Sequence, residues 1–388
     1  MLADDPAGRL VDAPAQAPDE PAPAGSVPDL PAGAERPAGA ERPARSAPGW
    51  TRRGLRGGGW VLARLPAAVA VCWLAFVALN TLLAGRFWGW LVFAPVPPLA
   101  FLVVPVLLYL PLTVPLPRRG TGVTALVAAL LLGLPAAGLN VAALTRQLAP
   151  VPAGAIRVVA WNTEYWDTGD DPRKFTGYLV GMHADVYLLQ EYLGRAGAAI
   201  DDRARLARDF PGYTVIVKHE LVVLSRLPVL GTPPVDANSV LRVDVRVGAD
   251  RLSLYDVHVP IQADYSRSPL SWSFYRAVHA KDADRRFLYH ALEDSVRANP
   301  LPLLVAGDFN TTPSMGDLDP LRGMTEDAAR ASRQFYPRSW HAGPLHLWRL
   351  DWTLTAGGVQ VHRYDLRDPA GMSDHDAQIS EITLPARR

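Results

Sequence analysis

The feature that most constrains this chain of 388 residues is a long stretch without any acidic side chain, from Arg42 through Thr163. Within it lie three uninterrupted apolar segments: Leu65–Ala84, Phe87–Leu112 and Val123–Leu144. Each has roughly 20 residues or more, and a helix of about 20 residues spans the hydrocarbon core of a bilayer. A surface helix of a soluble protein would carry charged residues along one face, and these segments carry none. The sequence therefore predicts three transmembrane helices.

A secretory signal peptide is the main alternative for the first segment. The apolar core of such a peptide has about 7–15 residues and lies close to the N-terminus. This segment begins after residue 60 and is followed by two others. The second segment is the least regular, because each proline removes a helix hydrogen bond. We expect it to be kinked or partly re-entrant at its prolines, which are Pro95, Pro97, Pro98, Pro105 and Pro111.

The arginines that flank the apolar segments predict their orientation. Several arginines precede the first segment, and Arg118 and Arg119 lie between the second and the third. Only Arg86 and Arg146 lie on the opposite side. Because arginines concentrate on the cytoplasmic side of a membrane, we expect the N-terminus in the cytoplasm and everything after Thr145 outside it. The excess of Arg, Ala and Pro is typical of a GC-rich bacterial genome, so we predict a multi-pass protein of the bacterial cell membrane.

Composition divides the chain further. Residues 1–50 are rich in Pro and Ala, with the hexamer PAGAER repeated at 31–42, so they are predicted to form a disordered tail. The membrane region is predicted to cover residues 51–146. Residues 155–388 carry 27 basic and 30 acidic side chains, and this net charge of −3 disfavours nucleic-acid binding through bulk charge. The single cysteine, Cys72, excludes an intrachain disulfide and a zinc site built from several cysteines.

From Ile156 onward, short β-like runs alternate with polar, helix-like stretches. Strict alternation of apolar and polar residues over 240–247 predicts a strand with one solvated face. Strands are predicted at 156–161, 186–190, 213–217, 221–224, 240–247, 252–259, 303–306, 350–354 and 378–382, and helices at 173–182, 201–208 and 282–297. This mixture of strands and helices predicts a single α+β domain over residues 155–388 with a sizeable core.

Several of the predicted strands end in polar residues of similar chemistry. The residues concerned are Asn162 and Glu164, Glu191, His258, Asp308 and Asn310, Asp351, and Asp374 with His375. One carboxylate at a strand end is usually a turn residue or a cap, but turn chemistry alone does not explain so many. Oxygen-rich ligands without cysteine indicate a hard divalent ion such as Mg²⁺ or Mn²⁺. The two histidines add groups that titrate near neutrality.

Seven short motifs stand out in this part of the chain, and six of them contain these residues. In chain order they are VVAWNTE, VYLLQEY, VLSRLPV, YDVHV, VAGDFN, RLDWTL and MSDHDAQ. Together they resemble the endonuclease/exonuclease/phosphatase superfamily over about residues 155–385, and GDFN with SDH at this separation is the most specific part. The resemblance implies a four-layered α/β sandwich, in which helices flank two packed β-sheets, preceded here by three transmembrane helices. It also implies metal-dependent hydrolysis of phosphoesters.

The resemblance assigns four of the strand-end residues to the metal. Glu191 matches the principal Mg²⁺ ligand of the family. Asn162 lies where the family has an Asn beside the metal and the phosphate, and Asp374 matches a further carboxylate close to the metal. Glu164 falls at a position where some members have an acidic ligand and others do not.

The remaining five residues are assigned to catalysis. Asp308 and Asn310 match the pair that orients the attacking water and binds phosphoryl oxygens. His375 matches the general base or phosphate-binding imidazole, and Asp351 matches the residue that holds its ring. His258 matches a second histidine, which contacts the phosphate or protonates the leaving group. The sequence identifies no carboxylate that orients the His258 ring.

Three predicted spans followed by this domain resemble bacterial teicoplanin-resistance membrane proteins, a branch of the same superfamily. The resemblance implies a lipid-linked phosphate or pyrophosphate substrate, such as undecaprenyl pyrophosphate, and a role in glycopeptide-antibiotic resistance. We therefore predict a membrane-anchored, divalent-metal-dependent phosphoester hydrolase with its active site outside the cytoplasm. A surface nuclease of the same fold is one alternative, which the acidic domain disfavours. A non-catalytic binding protein with a degenerate hydrolase domain is the other, which the presence of every core matching residue disfavours.

Three further features have ordinary structural interpretations. Residues 260–282 contain several aromatic residues and are expected to form a surface loop, with a lid or a membrane-facing edge as the alternative. His341 and His346 are interpreted as loop or packing residues rather than metal ligands. Asn80 and Asn140 lie within the apolar segments and are expected to form hydrogen bonds between helices.

Overall fold

The computed structural model describes residues 62–147, 150–166, 171–192 and 202–385. The predicted disordered tail, residues 1–50, lies outside the described residues. The apolar segments and the domain that follows them belong to one compact unit, Gly54–Arg388.

The apolar segments form three α-helices, but only the first has the length of a membrane span. The helices are α1 (Leu65–Leu83), α2 (Ala100–Tyr109) and α3 (Arg119–Gly133). Among the described residues, α1 is the one helix that is long and apolar enough to cross a membrane. Of the three predicted transmembrane helices, only the first is therefore found at full length among these residues.

Proline explains why the second and third helices are short. In the second segment a 3-10 helix covers Trp88–Phe93, and α2 begins only after the prolines at 95, 97 and 98. Its C-terminal end passes into another 3-10 helix, Leu110–Thr113, which contains Pro111. The third segment leaves the α-helix just before Pro135. Because proline has no N–H to donate, each break falls where the sequence removes a helix hydrogen bond.

The three helices pack on one another through small residues. A Cβ atom placed on Gly122 of α3 would lie 3.1 Å from the Cα atom of Ala67 in α1. Ala70 of α1 and Ala129 of α3 are fully buried between the helices. Such close approach of backbones is typical of helices that associate within a bilayer. The other sides of the helices expose large apolar residues, among them Val69, Leu79, Leu82, Val103, Val106, Leu107, Val127, Leu131 and Leu132.

The described part of the chain that follows contains fourteen strands. They are β1 (Ile156–Asn162), β2 (Val186–Gln190), β3 (Thr214–Lys218), β4 (Leu221–Ser225), β5 (Val229–Gly231), β6 (Val240–Val247), β7 (Asp250–His258), β8 (Leu303–Asp308), β9 (Glu326–Asp327), β10 (Trp340–Ala342), β11 (Leu345–Trp348), β12 (Asp351–Ala356), β13 (Gln360–Arg367) and β14 (Ala377–Thr383). One six-stranded sheet has the order β13-β14-β1-β2-β4-β3, and the other has the order β5-β6-β7-β8-β12-β9. Strands β10 and β11 form a separate hairpin.

The helices of this domain are α4 (Pro172–Val180), α5 (Arg203–Asp209), α6 (Trp272–Ala298) and α7 (Asp319–Arg322). Side chains alternate along each strand, so Val158 and Ala160 of β1 pack against the opposite sheet while Val159 and Trp161 pack towards α4. On the far side of the second sheet, α6 covers β7 and β8. The order of layers is helices, sheet, sheet and helix, which confirms the predicted α+β class with two packed sheets.

Two parts of the predicted secondary structure need correction. α6 begins at Trp272 rather than at residue 282, so the last part of the expected surface loop is helical. Ser271 caps this end, since its hydroxyl accepts a hydrogen bond from the Phe274 amide at 3.3 Å. The nine predicted strands are present, but β5, β9, β10, β11 and β13 were not predicted. Most of these are short or lie at sheet edges, where apolar periodicity is weak.

Asn80 makes an expected hydrogen bond between helices, because its Oδ1 atom accepts from the Trp90 indole N–H at 2.8 Å. Asn80 and Asn140 also connect the apolar region to the domain, a role that the sequence did not predict. The Asn80 Nδ2 atom donates to the Ser314 carbonyl at 3.2 Å, and the Asn140 Nδ2 atom donates to the Ala329 carbonyl at 2.7 Å. Arg146 also donates to the His362 carbonyl at 3.0 Å. The C-terminal end of α1 and the segment after α3 therefore both contact the domain.

Candidate active site

One edge of the two sheets gathers the polar strand ends. β1 and β2 run parallel in one sheet, as do β7 and β8 in the other. Asn162 is therefore beside the end of β2, where Glu191 follows, and His258 is paired with Asp308. Strand β12 runs antiparallel to β8, so its first residue, Asp351, is opposite Asp308. The register of the strands thus brings residues far apart in sequence to one place.

A carboxylate pair lies at the centre of this edge. The Asn162 Nδ2 atom donates to Oδ2 of Asp308 at 3.0 Å and to Oε1 of Glu191 at 3.2 Å. The Nε2 atom of His258 lies 3.3 Å from the same Glu191 oxygen and 3.8 Å from Oδ2 of Asp308. Ligand atoms of Glu191, His258 and Asp308 lie within 4.8 Å of one another.

Asn310 holds Asp308 in place from the following turn. Its backbone N–H donates to Oδ1 of Asp308 at 2.7 Å, and its Nδ2 atom donates to Oδ2 at 3.0 Å. Asn310 has a φ of 45°, and Glu164 and Glu191 have φ of 47° and 48°. For a non-glycine residue this left-handed conformation costs roughly 1 kcal/mol or more, and it clusters at functional sites. The backbone at this edge is thus strained in order to aim these side chains.

His375 forms a buried chain with Asp351 and Ser339. Its Nδ1 atom lies 2.8 Å from Oδ2 of Asp351, which also accepts a hydrogen bond from the Ser339 hydroxyl at 2.6 Å. The Nε2 atom of His375 points towards Asp308, 3.8 Å from its Oδ2 atom. Asp351 therefore fixes which nitrogen of the His375 ring faces the carboxylate pair.

Glu220 is a site residue that sequence reasoning missed. It lies in the turn between β3 and β4, and its Oε1 atom lies 2.9 Å from Nδ1 of His258. This is the orienting carboxylate for His258 that the motifs did not reveal. The only signal in the sequence was an acidic residue in a tight hairpin, which is ordinary turn chemistry.

Asp374 and Glu164 lie together on another wall of the site. The Asp374 backbone N–H donates to Oε2 of Glu164 at 2.9 Å, and the Trp340 indole N–H donates to Oδ2 of Asp374 at 2.8 Å. The other carboxylate oxygen of Asp374 lies 3.6 Å from Nε2 of His375. All nine residues predicted from the sequence are thus found at one edge of the sandwich, and their individual roles remain predictions.

The acidic groups and the imidazoles shift one another's pKa in opposite directions. Burial raises the pKa of Glu191 and of Asp308, although the neighbouring histidines oppose the shift. Burial alone would lower the pKa of His258, but the hydrogen bond to Glu220 and the surrounding carboxylates raise it to about 9. Burial opposes the charged form of His375 too, and the charges of Asp351 and Asp308 outweigh it, so its pKa lies well above the usual value. The surrounding carboxylates therefore favour the protonated form of both imidazoles.

Seven of the nine predicted residues, all except Asn162 and Asp351, line a cavity of about 390 Å³. Besides the predicted residues, its wall includes Lys281 of α6, and Pro260 and Ile261 from the loop after β7. Lys281 is one of only three lysines in the chain. The cavity thus combines carboxylates with cationic groups, which suits a phosphate bound together with a divalent cation.

The donor set fits a hard divalent ion. Glu191 and Asp308 present carboxylate oxygens to the same space, and burial raises the pKa of both groups because desolvation disfavours their charged forms. Oxygen ligands of this kind suit Mg²⁺ or Mn²⁺. Glu191 and Asp308, with Asn162 beside them, are the residues that would hold such an ion.

The Endonuclease/Exonuclease/phosphatase family model matches residues 137–375. The chain belongs to this family, which is a class of metal-dependent phosphoester hydrolases. No curated protein matches the chain.

Similar solved structures align with about three fifths of the chain. A truncated TDP2 from Caenorhabditis elegans is 15% identical, covers 61% of this chain and 100% of its own, and has a TM-score of 0.45. An endonuclease/exonuclease/phosphatase from Beutenbergia cavernae is 17% identical and covers 59% of this chain and 72% of its own, with a TM-score of 0.42. The 3′ phosphatase NExo from Neisseria, bound to a product DNA hairpin, is 17% identical, covers 59% and 100%, and has a TM-score of 0.43.

Proposed function

We propose that the chain is a membrane-anchored, Mg²⁺-dependent hydrolase of a lipid-linked phosphate or pyrophosphate. The observation that carries this proposal is that elements lining the cavity also contact the apolar region. Pro260, Ile261 and Lys281 line the cavity, and the elements that contain them also pack against the segment directly after α1. A substrate anchored in the same bilayer as α1 would be concentrated beside the cavity, as in any tethered reaction.

The contact between the two regions is apolar and continuous. Leu91 and Ala94, which follow α1, are buried against Phe274 and Val278 of α6. The ring of Trp88 meets His279 of α6 at 5.2 Å in an edge-to-face arrangement. Lys281 lies two residues beyond His279 on the same helix. The helix that lines the cavity is thus joined to the apolar region by packing, which supports an active site close to the membrane surface.

The loop before α6 exposes apolar side chains next to this contact. Leu270 is 98% exposed and Trp272 is 73% exposed, and Ile261 and Tyr265 are also exposed. Exposed apolar residues grouped on one loop mark a surface that meets another apolar phase, and tryptophan and tyrosine favour the headgroup level of a bilayer. The proposed membrane-facing edge therefore consists of Ile261, Tyr265, Leu270 and Trp272.

The contacts of the apolar region also support an active site outside the cytoplasm. Arg86 and Arg146 belong to the end of the apolar region that contacts the domain, whereas Arg118 and Arg119 lie at the start of α3, far along the chain from either contact. Arginines that flank membrane spans concentrate on the cytoplasmic side. The end of the apolar region that carries Arg118 and Arg119 is therefore assigned to the cytoplasm. The proposed location is the cell membrane, with the N-terminus inside.

The side chains have complementary tasks in the proposed hydrolysis. Water attacks phosphorus, the bond from phosphorus to the leaving oxygen breaks, and that oxygen gains a proton. His258, whose protonated form the surrounding carboxylates favour, donates this proton. Asp308 accepts the proton of the attacking water, which Asn310 helps to position. His375 binds a phosphoryl oxygen as an imidazolium, which its raised pKa favours over the role of general base. The divalent ion supplies positive charge against the charge that develops on the phosphoryl oxygens.

The membrane-facing edge can be tested by removing its apolar side chains. In the Leu270→Ser/Trp272→Ser double variant, hydrolysis of an isoprenyl pyrophosphate in vesicles should fall several-fold, because the edge no longer docks on the bilayer. Hydrolysis of a water-soluble pyrophosphate ester should not change. Phe287→Ser is the matched control, since Phe287 is 58% exposed on the same helix and about 22 Å from Trp272 at 1.5 Å per residue. Equal activity of the double variant and the control on vesicles would contradict the proposal.

A further inference from the structure

A second group of potential metal ligands lies outside the cavity. His341 of β10 and His346 of β11 face each other across the hairpin, with ring centroids 3.7 Å apart and ring planes 20° apart. Both rings approach Asp376, which follows the catalytic-site residues Asp374 and His375 in the chain. Asp376 is buried, and the two imidazoles are partly buried.

The distances match the spacing of ligands around a small ion. The Nε2 atom of His341 lies 3.0 Å from Oδ1 of Asp376, and the Nε2 atom of His346 lies 3.4 Å from Oδ2. Ligand atoms of the three residues lie within 4.8 Å of one another. A tetrahedral ion with bonds of about 2.1 Å holds its ligands roughly 3.4 Å apart. The two distances to Asp376 are close to this spacing.

The His346 ring has an unsatisfied nitrogen at this point. Its Nε2 atom is buried and forms no hydrogen bond with any of the described residues. Buried polar atoms are nearly always satisfied, so an exception needs an explanation. An imidazole nitrogen without a hydrogen-bond partner can present its lone pair to a metal ion.

We propose that His341, His346 and Asp376 bind a zinc-like transition-metal ion. Two imidazole nitrogens and one carboxylate oxygen form a donor set that binds zinc in preference to Mg²⁺. The all-oxygen preference of Mg²⁺ directs it to the carboxylates of the active site instead. The proposed site is thus distinct in chemistry from the site at Glu191 and Asp308, and a water would complete a four-coordinate ion.

The proposed ion would fasten the hairpin to the segment that carries two active-site residues. The hairpin already contacts this segment: the His341 backbone N–H donates to the Asp374 carbonyl at 2.8 Å, and the Trp340 indole donates to the Asp374 carboxylate. An ion bound to both imidazoles and to Asp376 would add a third connection next to His375. Its role is therefore structural, and it would hold Asp374 and His375 in position.

The test measures zinc in protein whose active-site carboxylate has been removed. Full-length Glu191→Gln protein in detergent is stripped with chelator, incubated with Zn²⁺ in excess Mg²⁺, freed of unbound ion and analysed by mass spectrometry of its metal content. About one zinc per chain is expected. In the Glu191→Gln protein, the further substitution His346→Ala should abolish zinc binding, and so should His341→Gln. Adding His290→Ala should leave it, because His290 is an exposed histidine with 74% of its side chain accessible.

Cobalt substitution supplies an independent measurement. Co²⁺ bound to the Glu191→Gln protein should give the intense visible absorption of a four-coordinate ion, and His346→Ala should remove it. The proposal is overturned if the Glu191→Gln protein retains no zinc. It is also overturned if the His341→Gln and His346→Ala proteins, with unchanged circular dichroism spectra, retain as much zinc as the His290→Ala control.

Discussion

The Nδ1 atom of His258 lies 2.9 Å from Oε1 of Glu220, which connects the end of β7 in one sheet to the hairpin of β3 and β4 in the other. The other ring nitrogen of His258 faces Glu191 and Asp308. Glu220 therefore orients the His258 ring in the same way as Asp351 orients the His375 ring. Each imidazole is held by one carboxylate at Nδ1 and presents Nε2 to the carboxylate pair.

Glu220→Gln should impair catalysis more than substrate binding. The amide keeps a hydrogen bond to His258 but removes the charge that raises the pKa of the ring. We expect kcat to fall by roughly 10- to 100-fold, because the proton donor is less often charged and less well oriented. The decline of activity at alkaline pH should begin at a lower pH than in the wild type. A pH profile of kcat with saturating Mg²⁺ measures both effects, and an unchanged profile would remove Glu220 from the mechanism.

Asp351→Asn separates the two roles open to His375. The charge of Asp351 is the largest factor that raises the pKa of His375 against the effect of burial, so the variant lowers this pKa. If His375 binds phosphate as a cation, activity is lost as pH rises through its pKa, and the variant loses activity at a lower pH. If His375 is instead a general base, activity appears as pH rises, and the variant gains it at a lower pH. We predict the first pattern, and the second would contradict the proposed role.

Asp327→Asn should destabilise the fold in a pH-dependent manner. Asp327 accepts two hydrogen bonds of 2.7 Å from the buried Arg349 guanidinium. Burial would raise the pKa of Asp327, but Arg349 outweighs burial and lowers it. A carboxylate with a depressed pKa stabilises the fold above the unfolded-state value near 3.9, and this contribution disappears as pH falls through the folded-state pKa.

The loss at pH 7 should be about 3 kcal/mol, the low end for breaking a buried pair, since 20% of the Asp327 side chain is exposed. The difference from the wild type should shrink below about pH 4. Denaturant unfolding in detergent, followed by tryptophan fluorescence, measures it. Asp365→Asn is the control, because Asp365 lies 3.8 Å from Arg363 in an exposed pair and should change stability by less than about 1 kcal/mol. A constant difference between wild type and Asp327→Asn from pH 7 to pH 3 would refute the assignment.

Reporter fusions test the proposed orientation without any assay of catalysis. A reporter that is active only outside the cytoplasm should be active after Arg388 and inactive between Arg118 and Gly120. If the flanking arginines set the orientation of the chain, the two positions lie on opposite sides of the membrane. The same activity at both positions would show that the short helices α2 and α3 do not form a pair of crossings.

The strand-end residues were predictable because their signals are local. Asn162, Glu191, His258 and Asp308 each come at the end of a short apolar run that predicts a strand, and the carboxyl ends of parallel strands lie at one edge of a sheet. Glu220 was not predictable in this way, because its contact joins a hairpin of one sheet to a strand of the other. Which turn carboxylate meets which histidine depends on how the two sheets pack, and no local pattern records that packing.

Hydropathy identified the apolar segments but misjudged the lengths of their helices. The first segment contains no interior proline after residue 66, and its helix matches the prediction to one residue. In the second and third segments, the α-helices begin or end beside prolines, although Pro105 lies inside α2. Asn80 and Asn140 likewise bind backbone carbonyls of the domain, a contact that hydropathy does not reveal.

The most direct test of the proposed function compares two substrates with the full-length enzyme in Mg²⁺. A long-chain isoprenyl pyrophosphate in mixed micelles and plasmid DNA are incubated separately, and phosphate release and strand cleavage are measured. We predict phosphate release from the lipid and little cleavage of DNA. Glu191→Gln and Asp308→Asn should each reduce the lipid reaction by at least about 100-fold, since they remove charge from the ion site and from the group that activates water. Efficient DNA cleavage with no phosphate released from the lipid would contradict the proposal and identify a nuclease.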